Sequence, residues 1–135
     1  MADNENLKNY KDNIEDSLHE AFPDFNITVF KDLSEDFELP AIVINKPVLE
    51  PKDLTVQNIR FRVTLESNAF VIYSAADDEN GIECVQQAAY LAKFLNNKTF
   101  GEKTPLKVTL IEPVLQEGLE NYFIQRIDFE HIVEI

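Results

Sequence analysis

The stretch VQNIRFRVTLESNAFVIY, residues 56–73, decides the fold class of this chain. Apolar and polar side chains alternate along it, with the period of a β-strand that buries one face. The stretch is much longer than the usual strand of about five or six residues. We predict one long strand with a bulge near Glu66-Ser67-Asn68; the alternative is two strands joined there, although a tight hairpin would favour glycine. The residues predicted to point inward are Phe61, Val63, Leu65, Ala69, Val71 and Tyr73.

Two amphipathic helices are predicted, one on each side of this strand in the chain. The first covers residues 5–22 and ends before Pro23, because proline disfavours helical geometry in the residue that precedes it. Apolar residues recur along it at steps of three and four, which places on one face Leu7, Tyr10, Ile14, Leu18, Ala21 and Phe22. The second begins at Asn80, with Glu83 three residues later as a capping box, and runs to about Asn97. Its predicted apolar face consists of Ile82, Val85, Ala88, Ala89, Leu91, Ala92 and Leu95.

Shorter strands are predicted at residues 26–30, 40–44, 106–114 and 122–135, with an acidic loop at 32–38 and a turn region around Pro47 and Pro51. This order predicts a single α+β domain over residues 1–135. Its antiparallel-rich mixed sheet has four to five strands, and two helices pack on one face. The predicted core residues are Ile42, Ile44, Phe61, Val63, Leu65, Val85, Ala89, Leu91 and Ile127.

Composition excludes several classes of protein. The chain has 12 Lys and Arg against 25 Asp and Glu, a net charge of −13, so we expect no specific binding to nucleic acid or to anionic membranes. No apolar run approaches the roughly 20 residues of a membrane span. The acidic, polar N-terminus does not resemble a secretory signal. Three glycines exclude glycine-rich phosphate loops, and Cys84 alone cannot form an internal disulfide.

Candidate chemistry is scarce, and we predict neither an enzyme nor a cofactor. Glu15 and His19 are spaced to share one helix face, but the pattern supplies no third metal ligand. Asp128, Glu130 and His131 resemble a ligand cluster, although alternation on a strand would place His131 on the opposite side. The acids of residues 77–79 are better explained by a helix N-terminus than by a calcium loop. Cys84 is expected to be a buried apolar residue.

Five stretches carry a resemblance to a known family. They are IEDSL (14–18), LPAIVI (39–44), RFRVTL (60–65), VQQAAYLAKFLNNKTFG (85–101) and LENYFIQRIDFE (119–130). Across roughly residues 10–133 the order of segments resembles the bacteriophage tail terminator proteins of Mu-like contractile tails and prophages, which are related in fold to the lambda tail terminator.

The resemblance implies a structural role in virion assembly and no catalytic residues. Such proteins form a ring, commonly a homo-hexamer, that caps the tail tube and sheath and joins them to the neck proteins of the head. The implied location is the bacterial host cytoplasm during assembly and then the virion tail. We expect a monomer or weak oligomer in dilute solution, with a six-fold ring closing when the protein is concentrated or placed on a tail end. Candidate subunit contacts on the long strand are Arg60, Arg62 and Glu66.

Other classes of protein stay open at this stage. One is a different neck or connector protein of a phage or prophage. Another is an acidic regulatory protein that binds a basic partner, with the acidic loop at residues 32–38 as its contact. Because the predicted long strand would span about 60 Å, part of it is expected either to fold back or to project as an arm that a neighbouring subunit covers.

Overall fold

The computed structural model describes residues 6–31, 38–53 and 62–134. They form two helices and a six-stranded sheet, which confirms the predicted α+β class. The helices are α1 (Asn6–Ala21) and α2 (Ile82–Leu95). The strands are β1 (Asn26–Val29), β2 (Ala41–Ile44), β3 (Val48–Asp53), β4 (Arg62–Ser74), β5 (Lys107–Pro113) and β6 (Tyr122–Glu134). Neither helix is long and apolar enough to cross a membrane within these ranges.

The long strand β4 organises the sheet. Along its whole length it pairs antiparallel with β6, from Arg62 opposite Glu134 to Ser74 opposite Tyr122. On its other side, β2 and β3 each pair with one half of β4, and β5 extends the sheet beyond β6. The short strand β1 pairs with β2 and is the parallel component of the sheet. The single long strand is therefore confirmed from residue 62 onward; residues 56–61 lie outside the described residues.

The bulge predicted at Glu66-Ser67-Asn68 is wrong, because β4 and β6 pair there without any shift in register. The interruption lies instead beside β4, where residues 45–47 separate its two partner strands, β2 and β3. Ser67 Oγ donates a hydrogen bond to the Asn45 carbonyl oxygen (2.6 Å), and Asn45 Nδ2 donates to Asn68 Oδ1 (2.6 Å). Ser67 and Asn68 of β4 therefore stabilise the break between β2 and β3.

The sequence prediction missed β3, since Pro47 and Pro51 indicated a turn. Pro51 lies inside β3, which pairs with β4 on one side and with no other described strand. A proline lacks the N–H that an inner strand would donate, so an edge strand is where the sheet accepts it. The position of Pro51 therefore agrees with β3 being a sheet edge.

Both helices pack on one face of the sheet, which we call the inner face. The α1 residues Tyr10, Ile14 and Leu18 share one buried cluster with the inward residues of β4 and β6. Of the predicted core, the residues found buried are Ile42, Ile44, Val63, Leu65, Leu91 and Ile127. Val85 and Ala89 are exposed, so their assignment to the core is wrong, and Phe61 lies outside the described residues.

The core assignment failed at Val85 and Ala89 because α2 turns a narrower face to the sheet than its apolar residues suggested. The residues that it buries are Cys84, Ala88, Leu91, Ala92 and Leu95. Cys84, expected to be a buried apolar residue, belongs to this face near the start of the helix. Val85 and Ala89 occupy the flank of the helix, beyond the part that contacts the sheet.

The predicted capping box at the start of α2 is also wrong. A short 3-10 turn, Glu79–Gly81, precedes the helix, and Asn80 adopts a left-handed conformation (φ 64°). Asp78 caps the helix instead: its Oδ1 and Oδ2 accept hydrogen bonds from the backbone N–H groups of Glu83 and Cys84, both at 2.9 Å. The helix then ends at Leu95, two residues before the predicted end.

Candidate interaction surfaces

The face of the sheet opposite the helices, the outer face, is not covered by any described helix. Its upper part, toward the C-terminal end of β4, holds a small apolar cluster in which Ala41, Val43 and Ile72 are buried against Phe70 and Ile124. Its middle part carries charged side chains of β4, β5 and β6. The outer face is therefore divided into an apolar and a charged region.

The predicted subunit-contact residues fall partly on this face. Arg62 and Glu66 both lie on the outer face of β4, because residues that alternate along a strand share a side. Four positions at about 3.3 Å each separate them by about 13 Å, so they do not form a pair. Arg62 Nε lies 3.8 Å from Glu134 Oε1 in the same chain. Arg60 lies outside the described residues.

Arg126 on the outer face is engaged by carboxylates of its own chain. It forms ion pairs with Glu112 and Asp128, and its Nε lies 3.0 Å from Asp128 Oδ1. Those two buried atoms are close without hydrogen-bond geometry, so their contact is electrostatic. A groove of about 510 Å³ runs beside this cluster toward Asn45 and Asn68. The Arg126 guanidinium is therefore already paired with carboxylates of its own chain, and the groove is also lined by Lys46.

Carboxylates also face each other across the strands. Glu66 lies directly opposite Glu130 in the β4–β6 register, and Glu130 lies opposite Lys107 of β5. Like charges in directly opposed positions are unfavourable. Lys107 lies opposite only one of these two carboxylates, that of Glu130. The middle of the outer face is thus acidic.

The two opposite edges of the sheet expose large apolar side chains. On β3, Val48 is 65% exposed and Leu49 is also exposed. On β5, Ile111 is 46% exposed and Leu110 is exposed beside it. Each of these strands pairs on one side only among the described strands. These edge residues were missed by sequence reasoning; Pro51 within an apolar segment was the signal for the edge character of β3.

A second groove, of about 520 Å³, lies between the start of α2 and the connection from β5 to β6. We call it the α2–β6 groove. Its apolar lining includes Val85, Val114, Leu115, Leu119, Tyr122 and Phe123. Leu115 is 91% exposed and Val85 is 54% exposed. Val85, which the sequence analysis assigned to the core, is therefore part of an exposed apolar surface.

The candidate metal ligands do not converge. Glu15 pairs with Lys11 (3.5 Å) one turn away, and His19 is exposed. Asp128 and Glu130 lie on the outer face, whereas His131 is buried on the inner face, as alternation predicts. No group of three or more His, Cys, Asp or Glu side chains that could hold a metal ion occurs within residues 6–31, 38–53 and 62–134.

Cys84 is buried, as predicted. Its Sγ lies 3.3 Å from the carbonyl oxygens of both Val71 and Phe123. Burial raises the pKa of the Cys84 thiol to about 12, and the negative charge of Asp78 adds to the shift. A thiol with so high a pKa is protonated at neutral pH, which leaves it a poor nucleophile.

Fold and surfaces together define an α+β domain with one sheet face that no described helix covers and with exposed apolar residues on the edge strands β3 and β5. No protein-family model matches the chain, and no curated protein matches its sequence. Sixteen chains of solved structures are similar to it. One of them is 13% identical to this chain and has a TM-score of 0.50. The alignment covers 96% of this chain and 93% of that chain. At this identity the similarity supports the fold alone.

Proposed function

We propose that this chain is a structural subunit that closes into a ring through head-to-tail contacts, as a tail-terminator-like component of a phage or prophage tail. The observation that carries the proposal is a pair of strands with exposed apolar residues, Val48–Asp53 and Lys107–Pro113, each of which pairs on one side only among the described strands. Unpaired edge strands expose backbone groups that a second chain can satisfy. Two different edges in contact give a heterologous interface, which forms a ring when the rotation between subunits closes.

The edges also carry features that limit uncontrolled pairing. Pro51 removes one N–H from β3, and a register irregularity between Val108 and Leu110 interrupts β5. Prolines and bulges are common means of preventing open-ended edge association. A subunit that stays dissociated in dilute solution and forms rings only when concentrated or on a tail end needs edges of this restrained kind.

The net charge of the chain agrees with a ring whose central channel lets DNA pass through. A net charge of −13 disfavours contact with phosphates, so a channel built from such subunits would not retain the DNA. The resemblance to tail terminators supplies the more specific role, in which the ring caps the tail tube and sheath and joins them to the neck. Another neck or connector protein would share the ring and differ in its docking partner.

Mixing two edge variants tests the head-to-tail contact. The β3-edge variant is V48E/L49E, the β5-edge variant is L110E/I111E, and Y90E adds a charge at an exposed aromatic residue of α2, away from both edges. Light scattering on concentrated protein should show rings for the parent and for Y90E, and monomers for each edge variant alone. An equal mixture should form one-to-one dimers, because one intact β3 edge and one intact β5 edge remain. If each edge variant still forms rings, or if the mixture stays monomeric, the contact is not head-to-tail.

The tail role is tested in the genetic element that encodes the chain. Neighbouring genes for tail sheath, tube and tape measure are expected. Deleting the gene should give tails of uncontrolled length without heads under the electron microscope, and the parent should restore normal tails while the combined edge variant should not. Normal tails after deletion would contradict the tail role and favour the acidic regulatory protein.

A further inference from the structure

The two ends of the sheet, along the strand direction, differ in their charged residues. We call the end where β4 finishes and β6 begins the acidic end; it comprises residues 22–26, 38–41, 74–83 and 113–122. These described residues include no Lys or Arg. Their carboxylates are Asp24, Glu38, Asp77, Asp78, Glu79, Glu83, Glu117 and Glu120. At the other end, Arg62 and Lys103 each lie within 4.0 Å of Glu134 Oε1.

The α2–β6 groove opens at the acidic end. Its lining is apolar apart from a few backbone and amide groups and two charged residues, Glu117 and Glu120. Contiguous apolar surface with a polar rim is typical of a site that binds another protein. The exposure of Leu115 is the strongest sign, because a fully solvated leucine side chain gains nothing from the folding of its own domain.

The wall of this groove is ordered by its own hydrogen bonds. Val114 N–H donates to the Ile124 carbonyl (2.9 Å), and Tyr122 N–H donates to the Leu119 carbonyl (3.1 Å). Between them, Gly118 adopts a left-handed φ of 92°, and its N–H donates to Glu120 Oε1 (3.1 Å). A preformed groove binds without first losing the conformational entropy of a flexible loop.

We propose that the α2–β6 groove is the docking site for a segment of a partner protein that carries large apolar side chains flanked by Lys or Arg. The apolar lining selects the apolar side chains, and the uniformly acidic rim selects the cations. Backbone N–H groups of Glu120 and Gly118 lower the pKa of the Glu120 carboxyl, which keeps this rim charge in mildly acidic buffer.

A second copy of this chain suits the groove less well than a basic partner, because it brings a net charge of −13 to an acidic rim. Its exposed apolar residues Val48 and Leu49 have mixed charge beside them, with Lys46 before and Glu50 after. Like charges across an interface oppose association. The groove is complete within one chain, so this proposal goes beyond ring formation and does not depend on it.

Binding of a synthetic peptide tests the proposal. The probe is a fluorescein-labelled peptide of alternating Leu and Lys, and its matched control has Glu at every Lys position. Fluorescence anisotropy at low salt should show binding of the Lys peptide and none of the Glu peptide. Amide shifts in the NMR spectrum should concentrate in residues 80–85 and 113–125. Absence of binding by the Lys peptide, or shifts centred on the outer face of the sheet, would overturn the proposal.

Matched variants separate the groove from general attraction to an acidic protein. E117Q/E120Q removes two charges at the rim, and D24N/E38Q removes two exposed charges elsewhere at the acidic end. L115S removes an apolar residue of the groove, and Y90S removes an exposed aromatic residue outside it. We expect each groove variant to weaken binding about tenfold and each control to change it less than about twofold.

Equal losses in the groove variants and their controls would show that the peptide is attracted by net charge alone, which contradicts the proposal. Light scattering shows whether the protein forms rings, and this measurement is independent of peptide binding to the groove. If the parent forms no rings while the Lys peptide still maps to the groove, only the ring contact is wrong. If the parent forms rings but the peptide does not map to the groove, only the docking site is wrong.

Discussion

Tyr10 Oη lies 2.7 Å from His131 Nδ1, which joins the first helix to the last strand across 121 positions of the chain. On the other side of the ring, His131 Nε2 lies 2.6 Å from the carbonyl oxygen of Thr104. A carbonyl only accepts hydrogen bonds, so Nε2 carries the proton and Nδ1 accepts from the tyrosine. Burial raises the pKa of Tyr10, which keeps its hydroxyl protonated as this arrangement requires.

Replacing Tyr10 by Phe should destabilise the fold by about 1–3 kcal/mol, because His131 Nδ1 would be buried without a donor. Urea unfolding followed by circular dichroism gives the free energy of unfolding. The control is Tyr90→Phe, whose hydroxyl bonds Gln86 at the surface and should contribute less than about 0.5 kcal/mol. Similar losses for both variants would mean that the Tyr10–His131 hydrogen bond contributes no more to the free energy of unfolding than a surface hydrogen bond does.

His131 should make stability depend on pH. Burial lowers its pKa below 6.5, against smaller opposing effects of the Thr104 carbonyl and Glu102. Below pH 6.5 the unfolded chain therefore binds a proton that the folded chain resists, and stability falls as the pH falls. From about pH 7.5 to about pH 5.5, the parent should lose more stability than His131→Gln. His19→Gln, at an exposed site, should follow the parent; a parallel loss in H131Q would assign the pH dependence to other groups.

Removing the cap of α2 should be costly. Asp78→Ala deletes the acceptor of two backbone N–H groups, and we expect a loss of about 1–2 kcal/mol in the same urea measurement. Asp77→Ala removes a neighbouring, exposed carboxylate and should cost at most a few tenths of a kcal/mol. If Asp77→Ala proved the more damaging of the two, Asp78 would not be the functional cap.

Two residues of α2 test the corrected core. Leu91→Ala removes a fully buried side chain and should cost about 2–5 kcal/mol. Val85→Ala removes a side chain that is half exposed and should cost less than about 1 kcal/mol. A loss at Val85 equal to that at Leu91 would restore the wider apolar face that the sequence predicted.

Local patterns in the sequence determined the fold class. The alternation from Val63 to Tyr73 identified one long strand, and the spacing of Tyr10, Ile14 and Leu18 identified α1 and its buried face. Alternation also separated His131 from Asp128 and Glu130 correctly. These features depend on the geometry of a single strand or helix, which is why the residues alone were sufficient.

Only the tertiary structure decided which apolar residues stay exposed and which polar groups meet. Whether Val85 is core or surface depends on where the edge of the sheet falls beneath α2, and no local pattern encodes that position. The partners of His131 come from α1 and from the segment before β5, so their distances arise only once the chain has folded. The acidic end likewise gathers carboxylates from four separate connections, because the strand topology returns those connections to the same side of the sheet.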